Sequence, residues 1–276
     1  VTDLDYEAAL RKTFGTLDRW LQQCALAFVP NPTSDLAEDD QDLPWLPLSQ
    51  LAHLGLQSAA DHLDAVRYRV ESKRLFAVAD LTLSRSALVG AAEAVWLLAP
   101  DDRSVRLLRA RRLASYAAKH HVQYLTELLQ LDPEHETTNL VLDHAVSRKA
   151  ELSDRRETLG ERTKLETTQM IKEAAEAVFD SALTAEVSLE WQSGSGVAHG
   201  LSWSLLGTPD TVEVGPPDST GLTEFHAKAT LGRMANSYLA AFHLATHGWR
   251  LLGLRNGRPA TTADALRTEA SKTSVD

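Results

Sequence analysis

The chain has 276 residues, 43% hydrophobic and 24% charged, a balance that excludes a disordered chain and accommodates one large domain with a sizeable core. Asp and Glu number 38 against 28 Lys and Arg, and the net charge of −10 argues against broad, salt-driven binding to nucleic acid while leaving room for a local basic patch. The single cysteine, Cys24, excludes an intramolecular disulfide, and residues 1–30 read as a periodic helix rather than a secretory leader, so a reducing, cytoplasmic compartment is expected.

Residues 3–28 show helical spacing, with Leu10, Phe14, Leu17 and Leu21 on one face. On that helix Cys24 reads as a small face residue. Residues 29–47 are broken by prolines and rich in acids, so they are read as a long loop pinned to the body by Trp45. Helical periodicity resumes over 48–74 and again over 75–99, the least polar stretch of the chain. Residues 81–99 approach the length of a membrane span, about 20 residues. Arg85 and Glu93 lie inside, however, and each central charge costs about 2.5–3.5 kcal/mol on insertion. The stretch therefore reads as the central helix of a bundle, with no membrane partner expected. Pro100 and the acids Asp101 and Asp102 separate it from a helix over 102–131, and Pro133 opens another to about 160. A sixth helix is expected over 165–192.

The character then changes. Residues 193–221 are rich in glycine and proline, and Trp203–Leu206 and Thr211–Val214 are expected to pair as a hairpin across Gly207-Thr-Pro-Asp. Residues 222–253 read as the last long helix and 256–276 as a mobile tail. The fold class expected is all-α: one domain over 1–255, a bundle of about seven long helices with a short irregular or hairpin insertion near 200–221.

Arg85 falls on the same stripe as Leu81, Leu88, Ala92 and Val95 when the helix is counted at about 100° per residue. A guanidinium on a core-facing stripe keeps its charge and needs a partner, with Glu93 two turns on as one candidate. His199, in Gly-Val-Ala-His-Gly, stands at an expected helix break, where an imidazole can serve as acid or base or cap carbonyls. His243 and His247 are spaced i, i+4 on the last helix and read as half-buried histidines. Two nitrogens on one metal are the other reading, but no HExxH or ExxH motif supplies further ligands. Arg103, Arg106, Arg109, Arg111 and Arg112 are spread around their helix and read as a solvated helix start, with phosphate or RNA contact as the alternative. No phosphate loop and no Ser–His–Asp or Cys–His signature occurs, and no cofactor is implied.

Two segments resemble a known family. Leu83-Ser-Arg-Ser-Ala-Leu-Val-Gly-Ala-Ala-Glu-Ala-Val-Trp-Leu-Leu is similar to the central helix, roughly RSxLExAAxAxWLL, of a family of uncharacterised helical proteins from actinobacteria and their phages. Trp191-Gln-Ser-Gly-Ser-Gly-Val-Ala-His-Gly-Leu-Ser-Trp resembles the same family's YRLLSxxAHGxxW segment, and order and spacing fit across residues 50–250. That family is in turn similar to the broader HEPN-like helical group of toxin–antitoxin and phage-defence systems. RNA-cutting members of that group carry an arginine four to six residues before a histidine on one helix. Here no arginine precedes His199 in that window, and Arg85 would have to supply the guanidinium from another helix.

These readings converge on a polar centre between 75–99 and 165–199, formed by Arg85, Glu93, Ser195 and His199, with Trp203 nearby. Two functions are carried forward. One is a binding or regulatory protein acting as a homodimer. The other is a metal-independent ribonuclease or nucleotide-directed enzyme, with His199 as acid/base, Arg85 as phosphate stabiliser, and Glu93, Ser195 and Trp203 as binding residues.

Overall fold

The computed structural model describes residues 2–206, 208 and 210–257. The tail expected at 256–276 lies almost wholly outside the described residues. Within them the chain forms nine α-helices: α1 (Asp3–Cys24), α2 (Asp35–Asp40), α3 (Leu48–Glu71), α4 (Ala79–Leu98), α5 (Arg103–Leu129), α6 (Glu136–Thr158), α7 (Thr167–Glu176), α8 (Ser181–Ala198) and α9 (Leu231–Arg255). A single two-stranded antiparallel ribbon, β1 (Thr211–Val214) with β2 (Glu224–Ala227), stands before α9. The all-α bundle is therefore the observed fold.

Local chemistry sets the helix boundaries. Thr2 and Asp5 form a reciprocal capping box at the start of α1, the Thr2 amide donating to Asp5 Oδ2 at 2.8 Å. Ser34, Asp102, Asp180 and Thr230 each accept an amide hydrogen bond from the first turn of α2, α5, α8 and α9. Three expectations are corrected by these caps. The loop at 29–47 holds the short helix α2, begun at Ser34. The helix expected over 165–192 is two helices, because Asp180 caps a fresh start at Ser181 rather than riding in a helix interior. The strand expected at Trp203–Leu206 is instead a 3₁₀ turn at Ser202–Ser204, and Thr211–Val214 pairs with Glu224–Ala227, so the last helix starts at Leu231 rather than 222.

Helix α4 is the axis of the bundle. It packs against α3 and α9 along its length and against α7 and α8 on its remaining flank. Thirteen of its residues, among them Leu81, Leu88, Val95, Trp96 and Leu98, are buried. It is long and apolar enough to cross a membrane by length and composition, and its apolar surface is covered here by neighbouring helices. The approach of α3 is close. A Cβ on Gly55 would meet the Gly90 carbonyl oxygen at 2.5 Å, and the clash is reciprocal, so glycine is required at both positions. Beside this contact, Trp20 of α1 stacks on Trp249 with ring centres 6.2 Å apart and lies 4.9 Å from Phe242, joining the first and last helices.

The arginines after Pro100 do not form a solvated helix start. Arg106 is 3% exposed and makes a bidentate pair with the buried carboxylate of Asp39, at 2.6 and 3.2 Å. Its remaining nitrogen donates to the carbonyls of Pro100 and Asp101 at 3.1 and 2.8 Å. Arg111 bridges Asp42 and Glu161, and Arg109 reaches Glu173 at 2.9 Å and the Trp96 carbonyl at 2.7 Å. The acidic residues of the 29–47 segment are thus the counter-charges of α5. Replacing Arg106 with Ala leaves Asp39 buried without its cation, a change that costs about 3–5 kcal/mol in comparable pairs. Urea unfolding of Arg106→Ala against the parent protein is expected to show that loss, while removal of the exposed Arg148–Glu151 pair is expected to change stability by well under about 1 kcal/mol.

Candidate functional site

The expected polar centre divides into two places. On the α8 side of α4, Arg85 packs against glycine: its Cβ lies 2.8 Å from where a Cβ on Gly194 would sit. Arg85 is half-buried, its Nε is buried without a hydrogen-bond partner, and among the described residues it forms no ion pair. Helix α8 continues through Ser193-Gly-Ser-Gly to Ala198. The two glycines inside it are explained by contact on both faces. Gly194 admits Arg85, and Gly196 admits the Trp203 ring, whose Cζ2 would lie 2.7 Å from an added Cβ. Ser195 is half-buried and its carbonyl receives the His199 amide at 3.1 Å. His199 is the C-cap of α8 and is exposed, with its imidazole at the surface, and Trp203 is 56% exposed.

Glu93 belongs elsewhere. It faces α3, its Cβ 3.5 Å from the position of a Gly55 Cβ, whereas Arg85 faces α8. The expected Arg85–Glu93 pairing is therefore not formed, because the two residues point at different helices. Burial with no compensating cation pushes the Glu93 carboxyl up to about 7.

A second polar locus surrounds the i, i+4 histidines of α9. His247 stands edge-on to Phe179 with ring centres 5.3 Å apart. Burial drives its pKa down to about 4, helped by the nearby positive charge of Arg250 and by His243, and its Nδ1 is buried without a partner. Desolvation also lowers the pKa of His243. Together the two imidazoles form a wall between two clefts. The cleft toward α1 has a volume of about 670 Å³ and is edged by Lys12, Arg19 and Arg250. The cleft toward α8 is about 640 Å³ and carries Glu186 and Glu190. Glu190 hydrogen-bonds Ser237, and burial raises its pKa. Among the described residues no cluster of three or more metal-ligating side chains occurs, so the histidine pair acquires no further ligand.

Sequence reasoning treated His243 and His247 as half-buried residues of the last helix and did not connect them to the cations on α1. The signal was present as a stripe, Lys12, Thr16 and Arg19 at i, i+4 and i+7, in register with His243, His247 and Arg250 at the same spacing. What periodicity does not supply is that the two stripes face one another. Cys24, by contrast, has its thiol pushed up to about 11 by burial, away from the reactive thiolate form.

No protein-family model matches the chain, and no curated protein or solved structure matches it.

The position of Glu93 makes a pH prediction. Its folded pKa, about 7, lies above its unfolded value near 4.5, so protonated Glu93 favours the folded state. That stability is fully present below about pH 4.5 and is lost as pH rises through 7. Glu93→Gln removes the ionisation. Thermal unfolding is expected to show the variant more stable than the parent at pH 8, by on the order of 2 kcal/mol, with the difference shrinking toward zero at pH 5. An equal difference at both pH values would show that the carboxyl is not desolvated.

Proposed function

We propose that the chain is a binding and regulatory protein that acts as a homodimer, and that the α5–α6 hairpin is the element through which two copies associate. The observation that carries this reading is the exposed apolar surface on the outer half of the hairpin. Beyond Ser115, Tyr116, Tyr124 and Leu128 of α5 are exposed at 46%, 62% and 36%, and Leu131 in the connecting turn at 84%. Helix α6 packs on α5, and only its base, through Arg148 and Arg155, reaches the Asp42–Trp45 segment. An isolated two-helix arm leaves apolar surface that a second arm can cover as a four-helix arrangement.

Charge supports a two-fold pairing. From Leu113 to Leu131 the only charged residues are Lys119 and Glu127, eight positions and about 80° apart around α5. In an antiparallel α5–α5 contact centred near Gln123, each Lys119 meets the other copy's Glu127, as an isologous interface requires. Light scattering of the full chain is expected to give twice the 30.3 kDa chain mass. Tyr116→Glu with Tyr124→Glu is expected to give the single-chain mass with an unchanged helical circular-dichroism spectrum. A parent protein that is monomeric at micromolar concentration rejects the reading.

One observation favours the nuclease-like alternative. Gly194 lies five residues before His199, inside the window where the HEPN-like nucleases carry their arginine, and Arg85 occupies the space beside that glycine. On this reading Arg85 of α4 would supply the guanidinium missing from α8, with His199 as acid/base and Arg85 as the phosphate stabiliser. Incubation with single-stranded RNA tests this directly. Cleavage by the parent and its loss in His199→Ala and Arg85→Ala is the outcome expected on this reading, and no cleavage, or cleavage equal in all three, rejects it.

A further inference from the structure

The groove between α1 and α9 is unusual in its charge. The chain as a whole is acidic, and its other buried or half-buried arginines mostly meet carboxylates: Arg67 with Asp64, Arg106 with Asp39, Arg109 with Glu173, Arg111 with Asp42, Arg255 with Asp101. The α1–α9 groove departs from that pattern at the half-buried Arg250, which stands beside the exposed Lys12 and Arg19. Three cations, Lys12, Arg19 and Arg250, line it, and no carboxylate does. Arg19 hydrogen-bonds only Thr16 Oγ1, at 2.8 Å. Lys12 and Arg250 form no ion pair among the described residues, and the Nε of Arg250 is buried without a partner.

The helices bring these groups together in a defined way. Thr13 hydrogen-bonds Tyr238 at 2.8 Å, and Trp20, about two turns further along α1, contacts Phe242 and Trp249 further along α9. The two helices therefore run in the same direction, so Arg19 and Arg250, each near the end of its helix, come to the same end of the groove. Beneath them the floor is apolar, formed by Phe242 and Leu239, and His247 presents an unpartnered buried Nδ1. Convergent cations that lack acids raise the local concentration of anions and repel one another until an anion enters. A volume of about 670 Å³ falls in the range of small-molecule sites, roughly 300–1,000 Å³.

We propose that this groove binds a phosphorylated small molecule, its phosphoryl oxygens held by Lys12, Arg19 and Arg250 and its organic part laid over Phe242 and Leu239. Guanidinium groups suit phosphate because they offer paired, parallel donors. The low pKa of His247 comes first from burial, and the charge of Arg250 adds to it. The site is independent of the α5–α6 arm and of the His199 region, so its test is separable from both earlier readings.

The experiment is isothermal titration of the full chain with pyrophosphate, ADP and glucose 6-phosphate at constant ionic strength. Saturable binding of at least one of these at or below millimolar concentration is expected, and which one binds tightest separates a nucleotide from a sugar phosphate. Arg250→Gln and the more exposed Lys12→Gln are each expected to weaken it tenfold or more. Arg148→Gln, which removes a cation on α6 away from the groove, is expected to leave affinity unchanged. Lys12→Gln keeps the test open if Arg250→Gln fails to fold. Absence of binding by all three compounds at 10-fold above about 1 mM overturns the proposal. So does equal weakening by Arg148→Gln, which would mean non-specific attraction. A single-stranded RNA that binds through the same residues while the three small molecules do not would assign the groove to nucleic acid instead.

Discussion

The last turn of α4 leaves carbonyls that no helical amide can reach, and they lie in the middle of the bundle rather than in solvent. Three arginines from two distant parts of the chain close that end. Arg109 donates to the Trp96 carbonyl at 2.7 Å, Arg255 to Leu98 at 3.1 Å and Pro100 at 2.8 Å, and Arg106 to Pro100 and Asp101. Each guanidinium also meets a carboxylate: Glu173 for Arg109, Asp101 for Arg255, Asp39 for Arg106. The negative end of the helix dipole and the buried carboxylate of Asp39 are thereby neutralised by the same cluster. Because the arginines belong to α5 and α9 and the acids to α2 and α7 as well as the α4–α5 turn, this one cluster ties four helices to the axis of the fold.

That cluster explains the segment at 29–47, which is acidic and proline-broken yet well fixed. Asp39 is 1% exposed, Asp40 caps the start of α3 through Ser49, and Asp42 accepts from Arg111 and Arg155. Acids that look like a solvated loop in the sequence are the counter-ions of basic residues that look like a solvated helix start. Neither half is interpretable alone, since a charge pattern records the sign of each residue but not which opposite sign it will meet.

The legible part of the fold was its periodicity. Leu10, Leu17, Leu88 and Val95 were on helical stripes and are buried, and α4 was recognisable as the central helix from its low polarity. Two of the boundaries that were missed are cap decisions. Asp180 and Thr230 are single side chains whose hydrogen bond to the backbone outweighs the apolar continuity on either side. The glycines of 193–200 misled for a related reason: glycine signals either a turn or a close approach, and Gly194 and Gly196 sit inside α8 because Arg85 and Trp203 need the space. At the candidate site, sequence placed Arg85 and His199 on facing helices but joined Glu93 to them. Eight residues along a helix rotate a side chain by about 80°, enough to turn Glu93 from α8 toward α3.

The distribution of unpaired charge connects these points. A folded chain with ten more acids than bases has counter-ions in excess for every cation, and at the end of α4 it uses them even for groups that are almost wholly buried. Cations that remain without a carboxylate under those conditions cannot be explained by a shortage of acids. Arg85 is one such group, set against glycine on α8. Arg19 and Arg250, with Lys12, are the others that converge, and they do so on a groove that the two imidazoles separate from a second cleft, the one that carries Glu186 and Glu190. The histidines thus stand between a cleft lined by cations and one lined by acids. A boundary of that kind orients a dipolar or phosphorylated ligand by its charged end, and it is at such boundaries, rather than in the neutralised core, that this fold retains electrostatic energy available for binding.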